Sequence, residues 1–220
     1  VVIEASKEAP VIAATRLGHE DTGDGAEPEK PEPAAEAEPW RKGRAGTSLG
    51  RAVHAVLQTI DLATGEGIAE TARAQAMAEG IANAVNRIER LTQNARASEA
   101  VRAAVASGRY WREVYVGCEV EGTVIEGFID LLYESPEGLV VVDYKTDSAP
   151  NEAAIAEAME RYRLQGAAYA LAVEQALGRP VARCVFVFTE PKAERAVPDL
   201  EAAKGELEER LRGRAPRAGR

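Results

Sequence analysis

Cysteine, histidine and aromatic side chains are scarce in this sequence: its 220 residues include two Cys, two His, two Trp and three Phe, and aromatics make up 5%. Cys118 and Cys184 lie in separate apolar runs with no CxxC pairing, which argues against a disulfide framework or a zinc ribbon and reads as core cysteines of a cytoplasmic protein. No run approaches the ~18 to 20 apolar residues of a membrane span, and no charged n-region leads into an apolar h-region. The phosphate-binding pattern G-x-x-x-x-G-K-[ST] is absent, so these residues carry no ATPase of that type. Positive charge is not in excess either. The formal net charge is -9, so any grip on nucleic acid must be local or supplied by a partner, because bulk affinity rests on many Lys and Arg side chains neutralising phosphates.

What the sequence has is enough apolar material for one sizeable core: 45% apolar and 29% charged residues. Residues 18–45 open with "GHEDTGDGAEPEKPEPAAEAEP", rich in Gly, Pro and acids, which bury too little to offset the entropy of ordering. They are expected to be an acidic flexible linker. Residues 1–17 are more apolar, and are either the remnant of something upstream or a segment that docks on the domain. The chain starts at Val1 rather than Met, as expected of a piece cut from a longer polypeptide. The main domain is expected over residues 46–212, followed by a loose basic tail at 213–220.

Within that domain, Leu49, Val53, Val56, Leu57 and Ile60 recur at helical spacing after Thr47 or Ser48 as N-cap, predicting a helix over 48–61. An Ala-rich helix follows over 67–91, and "SEAVRAAVASG" forms a third with a Ser start and a Gly stop. Strand patterns come next in "YWREVYVGCEV", "TVIEGFIDLLYE" and "GLVVVDYKT". A long helix from Asn151, a strand "VARCVFVFTE" and a final helix over about 199–212 complete the chain. The order predicts an α/β fold with a mixed sheet of about four strands flanked by helices and led by a helical segment. A strand reached through a long crossover helix tends to run parallel to its predecessor.

The stretch "VVVDYKTD" (residues 140–147) carries an apolar strand into Asp143 and Lys145. "SPEG" (residues 135–138) makes a turn before it, and pairing Glu134 with Leu139 brings Asp130 opposite Asp143. Facing residues on an antiparallel pair have Cβ atoms roughly 4.5 to 5.5 Å apart, where like charges repel unless a cation sits between them. Alternation puts Lys145 on the side of Asp143 and turns the Tyr144 side chain away. Oxygen-rich, incomplete ligation suits Mg²⁺ or Mn²⁺. A lone D-x-K is most often surface decoration; the second carboxylate, Asp130, is what shifts the balance toward chemistry.

"GFIDLL", "VVDYKT" and "RYRLQGAAYALAV", with "GRAVHAVLQ" upstream, together resemble the RecB-type nuclease domain of the PD-(D/E)XK superfamily, which closes RecB- and AddA-like helicase-nucleases. The resemblance covers residues 46 to about 190. It implies a restriction-endonuclease-like core in which His54, Asp130, Asp143 and the Tyr144 carbonyl bind Mg²⁺ or Mn²⁺, and Asp130, Asp143 and Lys145 are catalytic. Tyr162, Gln165 and Tyr169 correspond to the family's Q-and-Y motif as DNA-binding or supporting residues; their three- and four-residue spacing puts them on one helix face. Glu113 in "WREVYV" matches an acid often found on the family's first strand and ranks below the others. On its own, His54 between Val53 and Val56 reads as a core or edge histidine.

The resemblance further implies an exodeoxyribonuclease V-like, metal-dependent DNase that acts on single- or double-stranded DNA ends in break repair and recombination. Its implied partners are an upstream helicase in the same polypeptide, tethered through the acidic linker, and a second helicase-nuclease subunit. The iron–sulfur cluster of some relatives needs four cysteines, and Cys118 and Cys184 are misplaced for it, so none is expected. A competing reading is a non-catalytic DNA-binding or interaction module. Two retained, mutually repelling carboxylates speak against that.

Overall fold

The structure, a computed structural model, describes residues 10–18 and 47–214. The expectations for residues 1–9, for nearly all of the acidic stretch and for most of the basic tail lie outside the described residues.

Helix α1 (Ser48–Thr59) begins where the Thr47 hydroxyl accepts the Gly50 amide at 3.1 Å, which makes Thr47 the cap. The Ala-rich run that follows is two helices, not one. Gly80, at φ +70°, and a short 3-10 turn over Ala82–Ala84 separate α2 (Ile68–Ala78) from α3 (Val85–Arg96). Helix α4 (Glu99–Ser107) starts at Ser98, so four helices rather than three lead into the sheet.

The sheet has six strands where about four were expected: β1 (Val11–Ala13), β2 (Tyr110–Val120), β3 (Thr123–Ser135), β4 (Gly138–Lys145), β5 (Val181–Phe188) and β6 (Ala193–Ala196). Their order is β1-β3-β4-β5-β6, with β2 on the other edge of β3. The two unexpected strands are short, and β6 reads "AERA", a partly exposed edge with no apolar alternation to announce it. β4 and β5 run parallel, joined by helix α5 (Glu152–Leu177), as the crossover rule requires. Helix α6 (Leu200–Arg214) closes the described chain.

Ser135 and Gly138 pair, so the β3–β4 turn is Pro136 and Glu137 alone rather than four residues. Trimming it symmetrically leaves the register as expected, from Glu134 facing Leu139 to Leu131 facing Val142. β4 is buried on both faces, as a central strand between two helical layers must be. Leu139 and Val141 pack toward α5 and α6, while Val140 and Val142 pack toward α1–α4. The C-terminal end of β4 thereby lies between two helical layers.

Candidate active site

Gly50 brings α1 against the end of β4. A Cβ on it would lie 3.0 Å from the Thr146 hydroxyl, directly after Lys145, so a side chain there would have to push that hydroxyl aside. His54 follows one turn later on the same face. Its Nδ1 lies 2.8 Å from Oδ1 of Asp130. The second oxygen of Asp130 accepts the Tyr144 amide at 2.7 Å. The Lys145 carbonyl faces β5, where it accepts from the Thr189 amide at 2.8 Å. Carbonyls alternate edges along a strand, so the Tyr144 carbonyl leaves on the opposite edge, where its own amide meets Asp130.

The β2–β3 ladder is interrupted at one facing pair, Glu113 and Asp130, with no shift of register: Arg112 still faces Leu131 and Val114 faces Ile129. Glu113 has φ +52°, in the left-handed region that non-glycine residues seldom enter. The alternation of faces reverses there. Ile129 belongs to the core beside α5, yet Leu131, two residues on, belongs to the core beside α1–α4. Arg112 fastens this twist to α1, donating to the carbonyls of Leu57 at 3.1 Å and Ile60 at 2.7 Å, where a cation suits the helix C-terminus. One ligand atom each from His54, Glu113 and Asp130 lie within 4.8 Å of one another.

Asp143 occupies the next compartment. Its Oδ2 lies 2.8 Å from Lys145 Nζ and has no other hydrogen-bond donor, and its Oδ1 lies 3.4 Å from Nε2 of Gln165. Lys145 also donates to Oε1 of Gln165 at 2.9 Å and sits 3.9 Å above the Tyr162 ring, which stacks on Phe186. Gln165 donates to the Tyr169 hydroxyl at 3.1 Å, and the Tyr162 hydroxyl donates to Asp147. The three residues of the Q-and-Y pattern thus converge on one ammonium group and its carboxylate partner.

Two opposing effects set the His54 ring. Close surroundings would lower its pKa, but the Asp130 carboxylate, by charge and by hydrogen bond, raises it to about 9. Burial pushes the Asp143 carboxyl up, with Lys145 pulling it down and Asp130 adding to the rise. Burial also raises the Tyr144, Tyr162 and Tyr169 phenols, with Asp147 adding to the rise at Tyr162, so each stays a hydroxyl.

These residues fit a hard divalent cation. The donors are an imidazole and carboxylates with no thiolate, and a buried carboxylate oxygen on Asp143 lacks a hydrogen-bond donor beyond its ion pair. His54, Asp130 and Glu113 stand together, with Asp143 in the adjoining compartment. Glu113, ranked below the others from the sequence, stands with His54 and Asp130 among the groups that could hold an ion. Asp147 was missed: it ends the "DYKTD" run, but only the folded helix α5 brings Tyr162 onto it.

The model of the PD-(D/E)XK nuclease superfamily matches residues 29–218. The chain belongs to this superfamily. The expected resemblance, the α/β class and the mixed sheet flanked by helices hold for this PD-(D/E)XK domain. Among curated proteins it is 36% identical over 167 residues to an ATP-dependent helicase/nuclease subunit from Desulforudis audaxviator, covering 64% of this chain and 13% of that protein. It is 29% identical over 161 residues to the protein of the same name from Thermoanaerobacter sp., with the same coverages, and 28% over 181 residues to that of Bacillus cereus strain AH820, covering 67% and 14%. This superfamily domain thus spans about an eighth of the length of such relatives. Among the described residues no helix is long and apolar enough to cross a membrane.

Proposed function

We propose that this chain is a metal-dependent deoxyribonuclease domain of the exodeoxyribonuclease V type, hydrolysing phosphodiester bonds of DNA. The observation that carries this reading is the adjacency of two groups: the His54–Glu113–Asp130 donors within 4.8 Å and the Asp143–Lys145 pair at 2.8 Å. His54, Glu113 and Asp130 would hold Mg²⁺ or Mn²⁺, with Asp143 and the Tyr144 carbonyl beside them. The bound ion would supply charge neutralisation at the phosphate and a water of lowered pKa.

Lys145, paired with Asp143, is an ammonium group with three donors and no acceptor. It orients the attacking water and stabilises the negative charge that develops on the phosphate. Gln165 and the Tyr162 ring fix its position, and Tyr169 fixes Gln165. The water oxygen bonds to phosphorus as the bond from phosphorus to the 3′ oxygen breaks; one of the water's protons ends on the departing 3′ oxygen, and the other stays on the new 5′-phosphate or leaves to solvent. The products carry 5′-phosphate and 3′-hydroxyl ends.

The helicase/nuclease relatives support a wider setting. In it the domain belongs to a longer polypeptide with a motor, works on single- or double-stranded DNA ends together with a second subunit, and serves repair and recombination in the cytoplasm. Buried, unpaired Cys118 and Cys184 agree with that compartment.

The test is incubation of the purified chain with linear single- and double-stranded DNA, with Mg²⁺, with Mn²⁺ and with chelator. Metal-dependent cutting by the parent, lost in Lys145→Ala, is expected. Equal cutting by both would assign the activity to a contaminant or another site, and no cutting by the parent fused to its motor would favour a DNA-binding module.

A further inference from the structure

The segment before the acidic stretch is built into the sheet. Val11, Ile12 and Ala13 pair in parallel with Val124, Ile125 and Glu126 of β3, and the Val124 amide donates to the Pro10 carbonyl at 2.9 Å. Beyond the strand, Ala14 (1% exposed) and Leu17 (8%) join the same core cluster as α5. β1 occupies the edge of β3 that β4 leaves uncovered, since β4 pairs only with residues 131–135. An edge left open there would present unpaired backbone groups of β3.

Ala14 also reaches toward the candidate active site. Gly127 of β3 is the meeting point: a Cβ on it would stand 2.9 Å from the Tyr169 ring and 3.2 Å from the Ala14 Cβ. Ala14 and Tyr169 thus both close on the Cα of Gly127, within one core cluster. Tyr169 accepts from Gln165, and Gln165 contacts both Lys145 and Asp143. A continuous set of packed and hydrogen-bonded groups runs from Ala14 to the ammonium of Lys145.

We infer that residues 10–18, which lie outside the family match at 29–218, are an integral strand and brace of the nuclease domain and position Tyr169 and Gln165 against Lys145. Residues 19–46 then connect two parts of one fold, and a tether to an upstream motor begins before Pro10 rather than within 18–45. The positioning half of this inference rests on the nuclease reading; the architectural half does not.

The test uses the full chain. Hydrogen exchange followed by mass spectrometry is expected to show amides of 11–18 slowed by roughly a hundredfold or more relative to unpaired amides, and released together with those of β3. Exchange at the rate of an open coil would overturn the inference. Ala14→Asp, which buries a carboxylate against Gly127, should lower the melting temperature by about 5 °C or more. Below its melting point it should cut DNA about tenfold more slowly at unchanged metal affinity, while Ala14→Gly, which removes only the methyl group that meets Gly127, should show a smaller loss in rate. An Ala14→Asp protein that melts and cuts like the parent sinks the inference. If the parent cuts no DNA even when fused to its motor, the nuclease reading fails, while exchange and melting still decide where the domain begins.

Discussion

Nδ1 of His54 stands 2.8 Å from Oδ1 of Asp130 across a sequence separation of 76 residues, and this contact joins the helical layer to the sheet at the point where the chemistry is proposed. A cation bound through these two atoms would have to compete with that contact.

That competition has a sign. The His54 pKa is raised from 6.5 to about 9, so its ion pair with Asp130 contributes stability that is fully present below pH 6.5 and lost as pH rises through about 9. In chelator, the melting temperature should fall across that window, and less so in His54→Asn. Mg²⁺ or Mn²⁺ binding should displace the proton, so affinity should climb between pH 6.5 and about 9, with proton release seen by calorimetry in buffers of different ionisation enthalpy. Affinity independent of pH would mean that His54 is not a ligand.

Glu113→Gln tests whether the left-handed residue opposite Asp130 belongs to the ligand group. Metal affinity should drop by about 10- to 100-fold, the range seen when groups around a metal are removed. An unchanged binding isotherm would leave Glu113 as a purely structural residue.

Asp143→Asn and Lys145→Ala should separate binding from chemistry. Loss of Lys145 is expected to lower single-turnover cleavage by about 10²- to 10³-fold, as for a removed oxyanion donor, while metal still binds. Asp143→Asn should cost cleavage and also lower metal affinity. A Lys145→Ala protein that no longer binds metal would show that the lysine holds the site's shape rather than its charge.

Tyr162→Leu removes the ring beneath Lys145 Nζ, now 3.9 Å away, together with its hydroxyl contact to Asp147. A desolvated cation–π contact of about 2 kcal/mol corresponds to a roughly 30-fold slower reaction if all of it serves positioning. Tyr162→Phe and Asp147→Asn should each show a smaller loss in rate, with metal affinity unchanged. Parental rates in all three variants would remove Tyr162 from the positioning role.

The register of the β3–β4 hairpin was legible because side-chain alternation and a Pro-Gly turn are local signals. The same holds for the Thr47-capped helix and for the shared face of Tyr162, Gln165 and Tyr169. The break between α2 and α3 was not, because an Ala-rich pattern reads as helix on both sides of Gly80. β6 escaped because a short edge strand needs no apolar alternation, and β1 because three residues before an acidic stretch carry too little pattern.

By itself the sequence determined periods, caps and the order of elements, since these depend on neighbours within one or two turns of chain. Tertiary structure alone decided that Glu113 stands with His54 and Asp130, that Asp147 takes the Tyr162 hydroxyl and that Val11–Ala13 joins the sheet. Those outcomes depend on strand twist and on the packing of two helical layers, which sum over contacts far apart in the chain and leave no local mark on any one residue.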